Sequence, residues 1–326
     1  MTTQSAPPGT PLLATAAGVP IVYPVLGAMF HLEALGPDDA DALAATNAAV
    51  VDWFGPELRW TLNSSFPMLD PFRLRDLDFL PGYADAIRVP AFGERERDAY
   101  NILFAATFGE FALACGGSEE EAIASPFSYR FYSEMHVTQK GGPLHTCAMI
   151  RITVPVTCPL GDFRARVMDI AAKLPVRWGA AGYMYSAWEM EWYTSSRDAI
   201  YAHSRRHNGY DVGQYPTLVA EWYERIRTVS WLTFIGPHMA LRLREAGRAL
   251  AATGRVRVGQ AGKSLVLMAG EQPEEGDVNR LWIPPAYAEA DEMVRPLRAR
   301  RDVNFMAPWT EETTEKWLGR FEQRLS

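Results

Sequence analysis

The sequence predicts an α+β fold, an antiparallel sheet with helices packed on it, and three features lead there. Short runs rich in β-branched and aromatic residues recur along the chain. They alternate with segments whose apolar residues fall at helical spacing, and two pairs of runs are joined by glycine-bearing turns. With 326 residues, 48% of them hydrophobic and 22% charged, the chain has ample material for a large core.

Taken in order, residues 1–11 are rich in Thr, Ser, Pro and Gly and predict a flexible lead-in. Residues 12–326 show no clean linker and predict a single domain. Val22 to Leu32 predicts a strand, and Asp38 to Phe54, after Gly36-Pro37, a helix. Glu57 to Ser64 predicts a second strand. Phe66 to Pro90 has no clear period and predicts irregular structure, while Asp98 to Cys115 fits strand and helix equally. After Gly116-Gly117-Ser118, the acidic run Glu119, Glu120 and Glu121 suits a helix start.

Ser128 to Thr138 and Thr146 to Val156 predict a hairpin with a long loop around Lys140-Gly141-Gly142-Pro143. Gly161 to Leu174 predicts a helix with Phe163, Val167, Ile170 and Leu174 on one face, then a strand over Ala181 to Glu189. Later come a strand at Val229 to Ile235, a helix at His238 to Thr253, a hairpin from Arg255 to Gln260 and Ser264 to Ala269, and a helix near Tyr287 to Ala299. An echo of strand, helix, tryptophan-bearing turn and strand around Trp53 to Thr61 and Trp178 to Ser186 suggests two similar units with helices on one face of the sheet.

Composition narrows the function. A net charge of -7 and a pI near 5.5 argue against a nucleic-acid surface and suit a basic partner. Cys115, Cys147 and Cys158 are odd in number and scattered, as expected in a reducing compartment. No basic residue precedes the apolar stretch near Met1, and no apolar run has the length of a membrane span, so the expected location is the cytoplasm, away from any membrane.

Chemical motifs fail on spacing. Gly259-Gln260-Ala261-Gly262-Lys263-Ser264 ends like a phosphate loop, but Arg257 stands where that loop needs its first glycine, so a hairpin turn is expected. His203 and His207 lie four apart on a predicted helix, yet only Ser204, Arg205 and Arg206 separate them, and the arginines repel a cation. Neither a metal site nor a cofactor is expected. His145 and Cys147 share a strand face without an orienting third group.

Two stretches suit binding better. Tyr183 to Tyr193 sets Trp188, Glu189 and Glu191 among rigid aromatics, and Gly270 to Arg280 is a loop bearing Glu271, Glu274, Glu275 and Asp277. With Glu119, Glu120 and Glu121, these are the expected partner-binding residues, and no catalytic residue is expected. The rival expectation is an enzyme whose site gathers Glu134, His136 and His145.

Several C-terminal segments carry a resemblance: Gly209-Tyr210-Asp211-Val212, Val229-Ser230-Trp231-Leu232-Thr233-Phe234-Ile235-Gly236 with the helix after it, and Ala269-Gly270-Glu271-Gln272-Pro273 leading into Gly276-Asp277-Val278-Asn279. In order and spacing over roughly residues 180 to 300 they resemble the bacterial type VI immunity proteins that protect against VRR-Nuc nuclease toxins, departing at Glu245-Ala246-Gly247, where a double glycine would be expected. The resemblance implies a non-catalytic cytoplasmic inhibitor that binds a cognate toxin and occludes its active site. A relative that inhibits a different toxin class is the alternative it leaves.

Overall fold

The structure is a computed structural model that describes residues 10–33, 35, 37–57, 60–63, 66–71, 110–115, 124–132, 136–139, 142–145, 148–187, 195–213, 224–299 and 308–322. The first half holds β1 (Leu13–Ala14), β2 (Pro20–Leu32), α1 (Ala40–Phe54), β3 (Trp60–Asn63), β4 (Phe66–Pro71), β5 (Glu110–Cys115) and β6 (Phe127–Tyr132). Next come β7 (His136–Gln139), β8 (Gly142–His145), β9 (Met149–Pro155), α2 (Leu160–Lys173), β10 (Val176–Ala187) and α3 (Ser195–Arg206). The chain continues through β11 (Leu232–Ile235), α4 (Pro237–Glu245), β12 (Val256–Ala261), β13 (Ser264–Ala269), α5 (Pro285–Val294) and α6 (Glu311–Leu318).

Among the described residues, eleven strands form one antiparallel sheet in the order β12-β13-β11-β10-β2-β9-β6-β5-β3-β4, with β1 added beside β2. The predicted α+β class is therefore observed. Strands two places apart in such a ladder run parallel, so β9 and β10, which flank β2, need a crossover, and α2 supplies it. In the same way α1 links β2 to β3, four places away. The two crossover helices meet where Trp53 of α1 lies 6.3 Å from Phe163 of α2.

Two strand-helix-strand crossovers thus occur, but their tryptophans are not equivalent. Trp53 belongs to α1, whereas Trp178 lies inside β10 and stacks on His31, its partner across the ladder, at 4.2 Å. Helices on a single face would leave alternate sheet residues in water. Instead, β9 is buried from Met149 to Val154 and β2 from Val25 to Leu32, without alternation. Since successive side chains point to opposite faces, both faces of the sheet centre are covered.

Residues of α1, α2, α4 and α5 join the larger core, which includes Leu43, Phe163, Val167, Ile170, Met239 and Tyr287. A second, smaller core gathers Val22, Tyr185, Ile200, Tyr210, Val212, Trp309 and Trp317 from β2, β10, α3, α6 and the segments beside them. Burial of this kind contributes roughly 1.5 to 3 kcal/mol per large apolar side chain. Among the described residues, no helix is long and apolar enough to cross a membrane.

Local differences from expectation have physical causes. Phe66–Pro71 is a strand rather than irregular, because β3 offers it a hairpin partner in register from Trp60↔Pro71. Pairing also settles Glu110–Cys115 as strand, lodged between β3 and β6. β10 begins at Val176 rather than Ala181, since Trp178 to Ala181 ladder with both β2 and β11 despite the glycine at 179. The helix predicted to reach Thr253 stops at Glu245: Gly247 takes φ +75° and the Arg248 amide donates to the Leu243 carbonyl at 2.8 Å, a left-handed cap.

The long-loop hairpin is present as β6 and β9, paired from Tyr132↔Met149, with β7 and β8 as a separate two-stranded tip. At the other hairpin, Ala261↔Ser264 closes a two-residue turn in which Gly262 has φ +55°. Ser264 enters a strand, so the glycine-rich stretch turns a hairpin and opens no phosphate-binding helix.

Candidate partner-binding surface

The acidic loop follows β13. Gly270 leaves the strand at φ +83°, and the chain returns at Pro285 to start α5. Pro273, Gly276 and Pro284 are buried, whereas Glu271 and Glu275 reach into solvent. The loop is therefore anchored at three points and exposed between them.

Its anchors lie on α3 and the segment just after it. The Gly209 amide donates to the Glu275 carbonyl at 2.7 Å, and His207 Nδ1 donates to the Gly276 carbonyl at 3.1 Å. Arg206 donates to Asp277 at 3.1 Å, and the Tyr210 hydroxyl donates to Glu275 at 3.1 Å. From below, the Tyr287 hydroxyl accepts the Glu274 amide at 3.1 Å. A Cβ on Gly209 would collide with the Glu274 carbonyl oxygen, and one on Gly276, at φ +67°, would collide with the Asn208 side chain. Both glycines are needed for close backbone approach.

Beneath the anchors lies an aromatic cluster. Tyr210 stacks on Tyr183 at 5.0 Å and on Tyr185 at 5.2 Å, the two tyrosines that share one face of β10. The Tyr185 hydroxyl is hydrogen-bonded to His203 Nδ1 at 2.8 Å, and the His203 and His207 rings stack at 4.4 Å. Burial, with His207 and Arg206 adding repulsion, pushes the His203 imidazole down to about 4, so it is neutral near pH 7. Burial and the Glu275 carboxylate push the Tyr210 hydroxyl well up. These histidines are packing and hydrogen-bonding groups. Among the described residues, no group of three or more His, Cys, Asp or Glu is placed to hold a metal ion.

A buried charged frame supports the cluster. Asp211 accepts two bonds from Arg227, at 2.6 and 2.8 Å, with both side chains essentially excluded from water. Asp291 pairs with Arg298 at 2.6 Å, and Arg298 also donates to the carbonyls of Ile226 at 3.1 Å and Leu318 at 2.6 Å. Arg320 donates to the Asn208 carbonyl at 2.8 Å and to Thr228 at 2.6 Å while lying 3.6 Å from the Trp317 ring. Removing a charge from water is costly unless an opposite charge compensates it, and here Asp211 and Asp291 each hold a buried arginine. A recess of about 320 Å³ lined by Arg225, Arg248, Arg295, Pro296 and Arg298 belongs to the same frame, with Arg248 and Arg295 both paired to Glu292.

The expected contact residues are placed unequally. Glu271, Glu274, Glu275 and Asp277 share one loop. Glu271 is 83% exposed and lies 3.1 Å from Arg257, while burial raises the Glu274 carboxyl. Asp277 is only 13% exposed, pairs with Arg206 and Arg280, and accepts the Asn279 amide at 3.0 Å, so it builds the loop. Glu119, Glu120, Glu121, Trp188, Glu189, Glu191 and Glu134 lie outside the described residues. The backbone register sets His136 opposite His145 on the β7-β8 hairpin.

Val278, Leu281 and Trp282, which follow Asp277, are large, apolar and exposed, and none of them is among the contact residues expected from the sequence. The signal was present: the apolar run Leu281-Trp282-Ile283 stands between the loop and Pro284-Pro285, with no periodic element to bury it.

Comparison with known proteins finds the family described as type VI immunity for VRR-NUC over residues 100–321. No curated protein matches the chain at a significant level. Among solved structures, the fold is similar to that of the Pseudomonas aeruginosa T6SS protein PA0821. The TM-score is 0.71 and the identity 18%, covering 98% of this chain and 88% of that one.

Proposed function

The chain belongs to the TsiV family, type VI immunity for VRR-NUC, and from that membership we propose that it binds a cognate VRR-Nuc toxin in the cytoplasm and neutralises it by covering the nuclease active site. The observation that carries this reading is the family match itself. Its span contains the anchored loop and the glycines that the loop requires. The family's role is immunity, and we take the protein to act by binding, without catalysis. The continuous sheet supports treating residues 12–326 as one domain.

A nuclease that grips DNA presents a basic cleft. A protein of net charge -7 is attracted to such a cleft, and exposed carboxylates offer it a substitute for phosphates. We assign that part to Glu271, Glu274 and Glu275, together with Glu119, Glu120, Glu121, Glu189 and Glu191, and an aromatic contact to Trp188. Asp277 serves by holding the loop in place.

The test is co-purification with the product of the neighbouring gene, followed by titration at two salt concentrations and a toxicity assay with both proteins expressed. The expected result is a complex that weakens with salt and cells that survive the toxin. Charge reversal of both the loop Glu271–Asp277 and the run Glu119–Glu121 with no loss of affinity would remove the phosphate-substitute mechanism. Absence of any complex would remove the toxin itself.

A further inference from the structure

We propose that the turn Asp277–Trp282 is an apolar anchor, with Leu281 and Trp282 at its centre and Val278 beside them, that inserts into a shallow apolar recess on the basic face of the toxin. The proposal rests on the immunity reading and deepens it. Affinity is assigned to these side chains, and steering to the carboxylates around them.

Three observations support it. Leu281 is 91% exposed, Trp282 47% and Val278 44%, and they fall within five consecutive residues. Single exposed apolar residues are ordinary on protein surfaces, but a contiguous group that includes a tryptophan marks a contact surface.

Secondly, the turn is closed by its own main-chain bonds. Asp277 and Trp282 exchange backbone hydrogen bonds of 2.9 Å in both directions, the Leu281 amide donates to the Val278 carbonyl at 3.0 Å, and Asp277 caps the short helix between them. Side chains held before contact lose little freedom on binding.

Thirdly, Leu281 has φ +54°, the only described residue other than glycine in the left-handed region. Glycine or asparagine adopts that conformation at lower cost. A leucine at this position, almost fully in water, buries little of its side chain in the fold. Strain at an exposed position is explained when the side chain is used in contact with something else.

Charge selects the partner. Asp277 is shared by Arg206 and Arg280, and Glu271, farther back, pairs with Arg257, so among the described residues the carboxylates at the base of the turn outside an arginine pair are Glu274 and Glu275. An apolar centre with an acidic rim matches a basic surface that has an apolar recess, which on the immunity reading is the nuclease.

The experiment titrates wild-type protein, Leu281→Asn, Leu281→Gly and Trp282→Ala against a purified, catalytically inactivated VRR-Nuc domain from the same strain. Asparagine and glycine both tolerate the left-handed backbone, so thermal melting serves as the control for folding. The expected result is binding about 30-fold weaker in at least one Leu281 variant and in Trp282→Ala, at unchanged or higher melting temperature. Wild-type binding that all three variants reproduce within about threefold would overturn the anchor and leave the immunity reading standing. If the wild-type protein itself does not bind, the immunity reading falls and the anchor falls with it.

Discussion

The Gly209 amide reaches the Glu275 carbonyl at 2.7 Å, a distance that no residue with a Cβ at position 209 could allow. This contact joins the end of α3 to the middle of the acidic loop. It explains why glycine opens the Gly-Tyr-Asp-Val segment on which the family resemblance rests.

Gly209→Ala is therefore expected to cost about 1 to 3 kcal/mol, as overpacking does, and to loosen the loop. Gly161→Ala is the contrast. That glycine lies in the first turn of α2 with open space around it, and alanine there should be neutral or stabilising by up to about 1 kcal/mol. Chemical denaturation of the two variants checks both signs.

Breaking the buried Asp211–Arg227 pair from one side leaves a charge without its partner. Asp211→Ala should destabilise by about 3 to 5 kcal/mol, measured by urea unfolding. Replacing both residues with apolar ones of similar volume should cost less than the single change, because no uncompensated charge remains.

Acid should weaken the fold through two histidines. His203 is held at about 4, and burial, helped by Arg227, holds His31 well below 6.5. Below about pH 6.5 the unfolded chain binds protons that the folded chain refuses, so stability falls as pH falls, by up to about 1.4 kcal/mol per pH unit for each group. For His203 the loss is complete near its folded value of about 4. Unfolding free energies between pH 7 and 5, above most of the carboxylate range, should show this slope, and His203→Gln should flatten it. A slope that is unchanged in the variant would remove His203 as a contributor.

Leu281→Gly should raise stability by about 1 kcal/mol by relieving the left-handed conformation at an exposed site. Thermal melting reads this directly, without any partner present. A loss of stability would mean that the leucine side chain serves the fold.

Much of the architecture was legible because periodicity reports burial. Phe163, Val167 and Ile170 stand at helical spacing and are buried in α2, and the hairpin at Gly262-Lys263 follows from its turn chemistry. The misread segments were those decided at a distance. Nothing local in Phe66–Pro71 announces a strand until β3 lies beside it, and Val176–Ala180 is strand because two neighbours pair with it.

The candidate surface was half legible for the same reason. Composition pointed to the acidic loop but could not show that Asp277 is spent on internal contacts. It also gave no sign that Leu281 and Trp282, which on composition alone belong in a core, face outward.

The way the loop is tied has a consequence for divergence among relatives. Its path is fixed by the main-chain bond between Gly209 and Glu275, by the His207 imidazole on the Gly276 carbonyl and by the reciprocal bonds between Asp277 and Trp282, none of which depends on the side chains at 278–281. Positions 278 and 279 are therefore open to exchange while the surrounding frame stays constant, whereas position 280 pairs with Asp277 and position 281 takes residues that accept φ +54°. A lineage facing a new toxin could rewrite its recognition surface in a few codons without having to rediscover how to fold.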